Sequence, residues 1–222
     1  MSTLSEVISP LKRIAVFYDG SFFTKISNFY KFNHIRKSFL NFDGLHEFIK
    51  QKVAEKEANG NTSLCQIVEA HFFRGRFSLK SVQLRPDPLK QLESDRYYDQ
   101  LLMQSDIITH FFPMNENINP PEEKGIDVWL ALEAYDLAVH KKYDVLVLFA
   151  GDQDFIPLIK KINSIGTRVL VISVNIEGNG IYKSIYSSQK LINEASYTII
   201  LNEEIDSKKS KGDNSIENLF VK

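Results

Sequence analysis

Residues 143–155 read Tyr-Asp-Val-Leu-Val-Leu-Phe-Ala-Gly-Asp-Gln-Asp-Phe, and this stretch decides the predicted fold. The unbroken apolar run Val145–Phe149 is typical of a strand buried on both faces of a parallel sheet. A tight turn at Gly151 follows, and then Asp152 and Asp154. Because open α/β sheets bind ligands at the carboxyl ends of their strands, these two acids are candidate site residues. The alternative for either acid alone is that it caps the following helix.

The first predicted strand ends in a similar way. The apolar run Ile14–Tyr18 is followed by Asp19, Gly20 and Ser21, which places Asp19 at a strand end as well. Asp-Gly is a common turn dipeptide and Asp or Ser often caps a helix, so capping is the favoured interpretation of Asp19 taken alone. Its position at a strand end, like that of Asp152, still makes it a candidate site residue.

A fourth acid begins a later helix. The predicted helix runs from about Ile126 to His140, and Asp127 lies in its first turn. At about 100° per residue Asp127 shares one side with three alanines, whose small side chains let a helix pack closely on a sheet. We therefore predict that Asp127 points towards the strand ends. The alternative, a favourable interaction with the helix dipole, explains the acid but not its inward direction. The alanines are Ala131, Ala134 and Ala138.

Three basic residues are candidate phosphate contacts. Arg74 and Arg76 follow the predicted strand Leu64–Phe73, and guanidinium groups there can bind phosphate in a bidentate way. Lys124, three residues before Asp127, can neutralise a phosphate. An ordinary solvated loop explains each of these three residues equally well. Ser21 completes the predicted substrate-binding set.

Strands and helices alternate along the chain. Beyond the segments already named, the sequence predicts strands at Ile107–Phe112, Arg168–Val174 and Ser196–Leu201, and a helix at Ile181–Asn193. This alternation predicts an α/β fold with a doubly wound, mostly parallel sheet that is flanked by helices and has right-handed crossovers.

Composition divides the chain into three parts. Residues 1–11 are predicted to be a flexible lead, and residues 12–201 have a length typical of one domain. Residues 202–222 are rich in Glu, Asp, Ser and Lys, which predicts a disordered tail. Four apolar residues near its end either dock on a partner or form a frayed end without a role, and the second interpretation is favoured. They are Ile216, Leu219, Phe220 and Val221.

Charge and cysteine content exclude several classes of protein. The chain has 27 basic and 28 acidic residues and a net charge of −1, so any basic surface must be local. The single cysteine, Cys65, excludes an internal disulfide and a cysteine-based zinc cluster. No apolar run approaches the roughly 18 residues that span a bilayer, and the N-terminus lacks the pattern of a signal peptide. We expect a soluble, cytoplasmic protein.

The four acids together predict a metal site at one edge of the sheet. They are Asp19, Asp127, Asp152 and Asp154. Carboxylates without histidine or cysteine are hard oxygen ligands, which suit Mg²⁺ or Mn²⁺, and Mg²⁺ commonly takes further ligands from water and phosphate. A bound metal lowers the pKa of a coordinated water and offsets charge on a phosphodiester. The site therefore indicates phosphoryl chemistry.

Three motifs that carry these acids resemble the signature motifs of NYN domains, particularly those of the LabA-like branch. They are Tyr-Asp-Gly-Ser at 18–21, Lys-Gly-Ile-Asp-Val at 124–128 and Ala-Gly-Asp-Gln-Asp-Phe at 150–155. The resemblance spans Ile14 to about Leu201. It implies a PIN-like fold, a Mg²⁺-dependent ribonuclease activity as inferred for many members, and a metal site made by the four aspartates. The chain differs from the family pattern at Phe22, where Asn is common, and at Ser196, where Asp is frequent.

Three functions follow from these observations. The first is a Mg²⁺- or Mn²⁺-dependent ribonuclease, with the four aspartates as catalytic metal ligands and RNA as the partner. The second is a non-catalytic RNA-binding or regulatory module, because some relatives are thought to bind RNA without cutting it. The third and weakest is a metal-dependent phosphatase. A protein partner bound through the tail and a homo-oligomer stay open, and no membrane partner is expected.

Overall fold

A computed structural model describes residues 11–118, 120–207 and 212–221. All but the last residue of the predicted lead, 1–11, lie outside these ranges, as do residues 208–211 of the predicted tail. The fold is built around a six-stranded sheet. Its strands are β1 (Lys12–Asp19), β2 (Cys65–Arg76), β3 (Ile107–Pro113), β4 (Val145–Phe149), β5 (Arg168–Ser173) and β8 (Tyr197–Ile200). The spatial order is β3-β2-β1-β4-β5-β8, and each neighbouring pair is parallel.

Helices connect these strands. They are α1 (Gly20–Phe32), α2 (Phe42–Glu57), α3 (Leu79–Gln83), α4 (Pro88–Gln104), α5 (Ile126–Lys141), α6 (Ile156–Ser164), α7 (Gln189–Glu194), α8 (Leu201–Asp206) and α9 (Asn214–Glu217). Short 3₁₀ turns lie at Thr62–Leu64 and Gln153–Phe155. None of the described helices is both long enough and apolar enough to cross a bilayer.

The two faces of the sheet are both buried, as the side chains of β1 show. Ile14, Val16 and Tyr18 pack in one apolar layer together with α1 and α2. Ala15 and Phe17 point to the opposite layer, which includes α5 and α6. Alternating side chains of one strand thus enter two separate cores, as expected of a central strand covered by helices on both sides. The predicted α/β fold with a doubly wound parallel sheet is confirmed.

The predicted helix Ile181–Asn193 is wrong over its first half. A two-stranded antiparallel ribbon, β6 (Asn175–Ile176) and β7 (Ile185–Tyr186), occupies this region, and residues 177–184 form the loop that joins its strands. Gly180 in this loop has φ +86°, a conformation that suits glycine and interrupts a helix. The Asn202 side chain accepts from the Asn175 amide at 2.7 Å and donates to the Asn175 carbonyl at 2.9 Å.

The predicted disordered tail is also corrected where the structure describes it. Helix α8 buries Leu201 and Ile205, and the segment around α9 packs against the α1–α2 connection. The Asn41 amide donates to the Leu219 carbonyl at 2.8 Å, and Leu40 and Phe220 form an antiparallel bridge. The polar composition of the segment predicted disorder, but a few apolar side chains are enough to anchor it on the core. Three of the four apolar residues are buried in the protein's own core and so are not free to bind a partner. They are Ile216, Leu219 and Phe220.

Candidate active site

Three of the four predicted acids line one cavity at the carboxyl edge of the sheet. Asp19 ends β1, Asp152 follows β4, and Asp127 lies in the first turn of α5. The cavity has a volume of about 540 Å³, and all three carboxylates are among its lining residues. The strands β1 and β4 are neighbours in register, with Tyr18 beside Phe149, so their following residues meet at the same edge. Parallel strands thus bring together acids that are more than 100 positions apart.

Asp19 is held by the start of α1. Its Oδ1 accepts hydrogen bonds from the Ser21 amide at 3.0 Å, the Ser21 hydroxyl at 3.0 Å and the Phe22 amide at 3.1 Å. Asp19 therefore caps α1, as the favoured interpretation held, but the cap uses only one of its two carboxylate oxygens. Burial raises the pKa of Asp19, while the Phe22 and Ser21 hydrogen bonds and the charge of Lys25 act in the opposite direction. The cap fixes the carboxylate and leaves Oδ2 without a hydrogen bond from the described residues.

Asp127 faces the other acids, as its position on the predicted helix indicated. Helix α5 begins after Gly125, whose φ of +84° lets the chain turn sharply into the helix. The Asp127 carboxylate is half-buried and accepts no hydrogen bond from the described residues. Burial and then the charges of Asp19, Asp152, Glu123 and Asp154 raise the pKa of Asp127 to about 6. Burial and like charges disfavour the ionised form, so this carboxylate needs a positive partner.

Asp152 and Asp154 have different positions. The Asp152 Oδ1 accepts from the Asp154 amide at 2.9 Å, which caps the 3₁₀ turn, and the Asp152 side chain reaches the cavity. Asp154 is exposed and does not line the cavity, and its charge contributes least of the named causes to the raised pKa of Asp127. Asp154 thus lies at the rim of the site.

The sequence did not predict two charged residues that line the cavity, Glu123 and Lys25. The Glu123 Oε1 accepts from the Gly75 amide at 2.6 Å, which brings a further carboxylate into the cavity from the long loop before α5. No sequence pattern predicts such a hydrogen bond. The signal for Lys25 was available, because Lys25 follows Ser21 by one helical turn and therefore shares its face.

The predicted basic contacts are not in the cavity. β2 extends to Arg76, so Arg74 and Arg76 belong to the strand and turn towards α4. Arg74 Nη2 lies 3.6 Å from Asp95 Oδ1, and Arg76 donates to Asp99 and lies over the Phe111 ring. These pairs join β2 to α4, so their charges are already compensated. Lys124 is exposed and is not a lining residue, whereas Ser21 is one.

The two differences from the family pattern have separate structural meanings. Phe22 is 7% exposed and forms an apolar wall of the cavity. Its ring lies so close to Gly151 that a Cβ on that glycine would be 2.5 Å from it. Ser196 lies at the opposite edge of the sheet, where its hydroxyl accepts from the Val169 amide at 3.0 Å. Only Phe22 changes the chemistry of the acidic cavity.

The donor set, but not its spacing, matches a hard divalent ion. The carboxylates of Asp19, Asp127 and Asp152 supply only oxygen ligands, which is the set that Mg²⁺ and Mn²⁺ prefer. Among the described residues, no three His, Cys, Asp or Glu side chains stand close enough together to hold one ion. Mg²⁺ usually keeps several waters and binds through one or two carboxylates together with phosphate oxygens, so a closed cage of protein ligands is not required.

Comparisons with known proteins extend this description. The sequence model of the NYN domain family matches residues 13–202. The structure is similar to the crystal structure of a protein of unknown function from Vibrio parahaemolyticus, with a TM-score of 0.53 and 18% identity. That similarity covers 85% of this chain and 92% of the other, and it shows the fold alone. No curated protein matches the sequence.

Proposed function

Because the chain belongs to the NYN domain family of PIN-like nucleases, we propose that it is a divalent-metal-dependent ribonuclease that hydrolyses RNA phosphodiesters at the acidic cavity. One observation carries the proposal. Asp19, Asp127 and Asp152 come from three separate segments and line one cavity, where burial and then the charges of Asp19 and Asp152 raise the pKa of Asp127. The fold gains nothing from crowding these charges, so a bound ligand has to compensate them.

We assign the carboxylates of Asp19, Asp127 and Asp152 as the set from which one or two would hold Mg²⁺ or Mn²⁺, with water and phosphate oxygens as the remaining ligands. When bound, such an ion supplies a water of lowered pKa and a positive charge for the phosphodiester. Asp19 is preoriented by its three hydrogen bonds from Ser21 and Phe22. Asp127 must release its proton before it can bind the ion, because a metal ligand has to be deprotonated.

The remaining residues act around this centre. We propose that Lys25 contacts a substrate phosphate, the role first predicted for Arg74 and Arg76, because its ammonium lines the cavity without an ion-pair partner among the described residues. Asp154 stays a candidate outer ligand at the rim, and Lys124 a candidate phosphate contact. The Ser21 hydroxyl is committed to Asp19 and so positions that carboxylate.

The second candidate is a non-catalytic RNA-binding module of the same family. The identity of residue 22 favours the non-catalytic module. The apolar ring of Phe22 lies where the family pattern has an amide, which can bind a water or a phosphate. The absence of a preassembled three-residue metal cluster among the described side chains points in the same direction. Under this alternative the acidic cavity is a remnant, and RNA binding does not depend on a metal.

A cleavage assay separates the two candidates. Purified protein is incubated with single-stranded RNA, single-stranded DNA or a chromogenic phosphomonoester, each with Mg²⁺, Mn²⁺ or a chelator. We expect cleavage of RNA that needs the metal and is lost in Asp152→Asn. Asp136→Asn is the matched control, because Asp136 is an exposed acid on α5, the helix that carries Asp127. RNA binding without cleavage supports the second candidate, and cleavage of only the phosphomonoester indicates a phosphatase.

Further features of the protein remain proposals. We propose that residues 12–201 form the catalytic domain, that the protein acts in the cytoplasm, and that it belongs to the LabA-like branch of the family. We propose that any protein partner of the C-terminal segment binds residues other than Ile216, Leu219 and Phe220, because these three side chains are buried.

A further inference from the structure

The acidic cavity continues into a second cavity along α1. This neighbouring cavity has a volume of about 630 Å³, and Phe22, Lys25 and Tyr186 line both. One wall follows α1 from Phe22 to its C-cap Asn33, and the other is formed by residues 182–184 of the loop and by β7. We call this second cavity the α1 groove. The residues that matter below are Lys25, Phe29, Tyr182, Lys183 and Tyr186.

The α1 groove carries two lysines without an ion-pair contact among the described residues. Lys25 and Lys183 are both exposed, and neither forms an ion pair within the described parts of the chain, although the charge of Lys25 also acts on Asp19. By contrast, Arg74 and Arg76 are paired with acids of α4. The whole chain has a net charge of −1, and the adjoining cavity is acidic, so a polyanion gains attraction here only from local cations. Two exposed ammonium groups along one groove suit a chain of phosphates.

Aromatic rings line the same groove as these two lysines. Tyr182 packs edge-on against Phe29 with ring centroids 4.9 Å apart, which fixes Tyr182 on the groove wall. Tyr186 is 53% exposed and stands where the α1 groove meets the acidic cavity. No described aromatic ring stacks on it. An exposed aromatic ring beside lysines is the combination that binds unpaired bases, since each base can stack on such a ring.

The position of Tyr186 is fixed relative to the acidic cavity. The Ser187 amide donates to the Val174 carbonyl at 3.0 Å, and the Ser188 amide donates to the Gly151 carbonyl at 2.8 Å. Gly151 is the residue immediately before Asp152. The backbone beside Tyr186 is therefore hydrogen-bonded directly to the turn that carries a site carboxylate. A base stacked on Tyr186 would place the adjoining phosphates at the entrance to the acidic cavity.

We propose that the α1 groove binds single-stranded RNA, with one base stacked on Tyr186 and backbone phosphates at Lys25 and Lys183. The inference rests on the proposed function for the choice of RNA, and it adds the strand state and the path of the substrate. Bases of a duplex are stacked on each other and are not available to a side chain, so stacking on Tyr186 selects unpaired RNA. The strand runs along α1 and enters the acidic cavity past Tyr186.

Binding without cleavage tests the groove independently of catalysis. The probe is a fluorescent oligouridine of about twelve nucleotides, within the range of known single-strand sites, measured by anisotropy in chelator. We expect Tyr186→Ala to weaken binding about 10-fold and Tyr186→Phe, which keeps the ring, to bind like the wild type. Lys183→Ala should reduce the slope of log K against log salt by about 0.7, the value for one phosphate contact on a single strand.

Matched controls lie elsewhere on the surface. Tyr97→Ala removes a tyrosine that is 61% exposed on α4, and Lys56→Ala removes an exposed lysine at the end of α2. Both should leave the affinity unchanged. Thermal melting of each variant checks its fold, and Tyr186→Phe and Lys183→Ala leave no cavity in the core. Equal affinity of wild type and Tyr186→Ala overturns the proposal, as does an RNA duplex that binds as tightly as oligouridine.

The outcomes keep the two proposals apart. If oligouridine binding depends on Tyr186 but no RNA is cleaved with any metal, the α1 groove stands and the nuclease proposal fails. If RNA is cleaved and Asp152→Asn abolishes cleavage while Tyr186→Ala changes neither binding nor cleavage, the nuclease proposal stands and the groove is wrong.

Discussion

The two edges of the sheet carry the same kinds of charged residue but use them differently. At the amino edge, Glu57 accepts from the Tyr197 hydroxyl at 2.6 Å, and its Oε1 lies 2.7 Å from Arg168 Nε. Lys12 Nζ also lies near this carboxylate, at a distance of 3.9 Å. At the carboxyl edge, Asp127 faces Asp19 and Asp152 and accepts no hydrogen bond from the described residues. The Glu57 carboxylate at the amino edge is compensated from within the fold, whereas we propose that a bound cation compensates Asp127.

This difference separates Glu57, a structural acid, from Asp127, which we propose to be a functional one. A carboxylate with donors supplied by the fold lowers the free energy of the folded state, since hydrogen bonds to a charged group contribute about 1.5–3 kcal/mol each. A carboxylate among like charges raises the free energy of the folded state unless a bound cation compensates its charge. Glu57→Gln at the amino edge should therefore lower stability and leave activity unchanged. Asp127→Asn at the carboxyl edge should raise stability and lower activity.

The largest expected effect is on catalysis at the carboxyl edge. We expect Asp127→Asn and Asp152→Asn to lower kcat/KM for single-stranded RNA by about 10²–10³-fold, because each removes charge that stabilises the reacting centre. Glu57→Gln, at the amino edge, should keep kcat/KM within about twofold when corrected for folded protein. Steady-state rates with Mg²⁺ check this. Equal losses at both edges would show that the contrast between them is not functional.

A smaller effect is expected on stability at the amino edge. The Glu57 side chain is only 11% exposed, and Glu57→Gln removes the negative charge of the acceptor that binds Arg168 and Tyr197. We expect the free energy of unfolding to fall by about 1.5 kcal/mol, near the lower value for a hydrogen bond to a charged group. Urea denaturation measures it, with Glu47→Gln as the control, since Glu47 is 71% exposed and pairs only with Lys50. An unchanged midpoint contradicts the prediction.

The smallest effect has the opposite sign and depends on pH. The pKa of Asp127 is about 6 in the folded protein, against an ordinary value of 3.8, so ionising it destabilises the fold. The two-unit difference corresponds to about 3 kcal/mol, which solvent screening of a half-exposed group reduces to about 1 kcal/mol. The wild type should therefore lose this stability as pH rises from about 4 to 6.

Asp127→Asn removes that loss. Without metal, the variant should be about 1 kcal/mol more stable than the wild type at pH 7, and the difference should vanish near pH 4, where Asp127 is protonated in the wild type. Thermal or urea unfolding across this pH range measures the difference. A variant that is less stable than the wild type at pH 7 would mean that Asp127 already has a compensating partner within the fold.

The strand-end acids could be predicted from the sequence because the topology alone brings them together. Runs such as Val145–Phe149 identify buried parallel strands, and all their carboxyl ends meet at one edge. The face of α5 that carries Asp127 followed from helical periodicity. Lys25 was accessible to the same reasoning, since it shares a helical face with Ser21.

Other residues depend on tertiary contacts that no local pattern encodes. β2 extends to Arg76, and its two arginines pair with Asp95 and Asp99 on α4. The segment that was predicted to be a phosphate-binding loop therefore forms a structural contact between β2 and α4. The tail was predicted to be disordered because its average composition is polar. Two of its apolar residues, Leu219 and Phe220, are nevertheless buried in the core. The sequence predicted a helix at Tyr186, although the loop before it contains Gly180, a glycine that favours a turn.

Direct titration of Mn²⁺ into the metal-free protein tests the central claim that the carboxyl edge needs a cation. Calorimetry should show saturable binding to the wild type and to Asp136→Asn, and at least tenfold weaker binding to Asp127→Asn and Asp152→Asn. The affinity of the wild type should also fall below pH 6, because Asp127 must lose its proton to bind. Equal Mn²⁺ affinity in all four proteins, or no binding to the wild type at pH 7, would contradict the account.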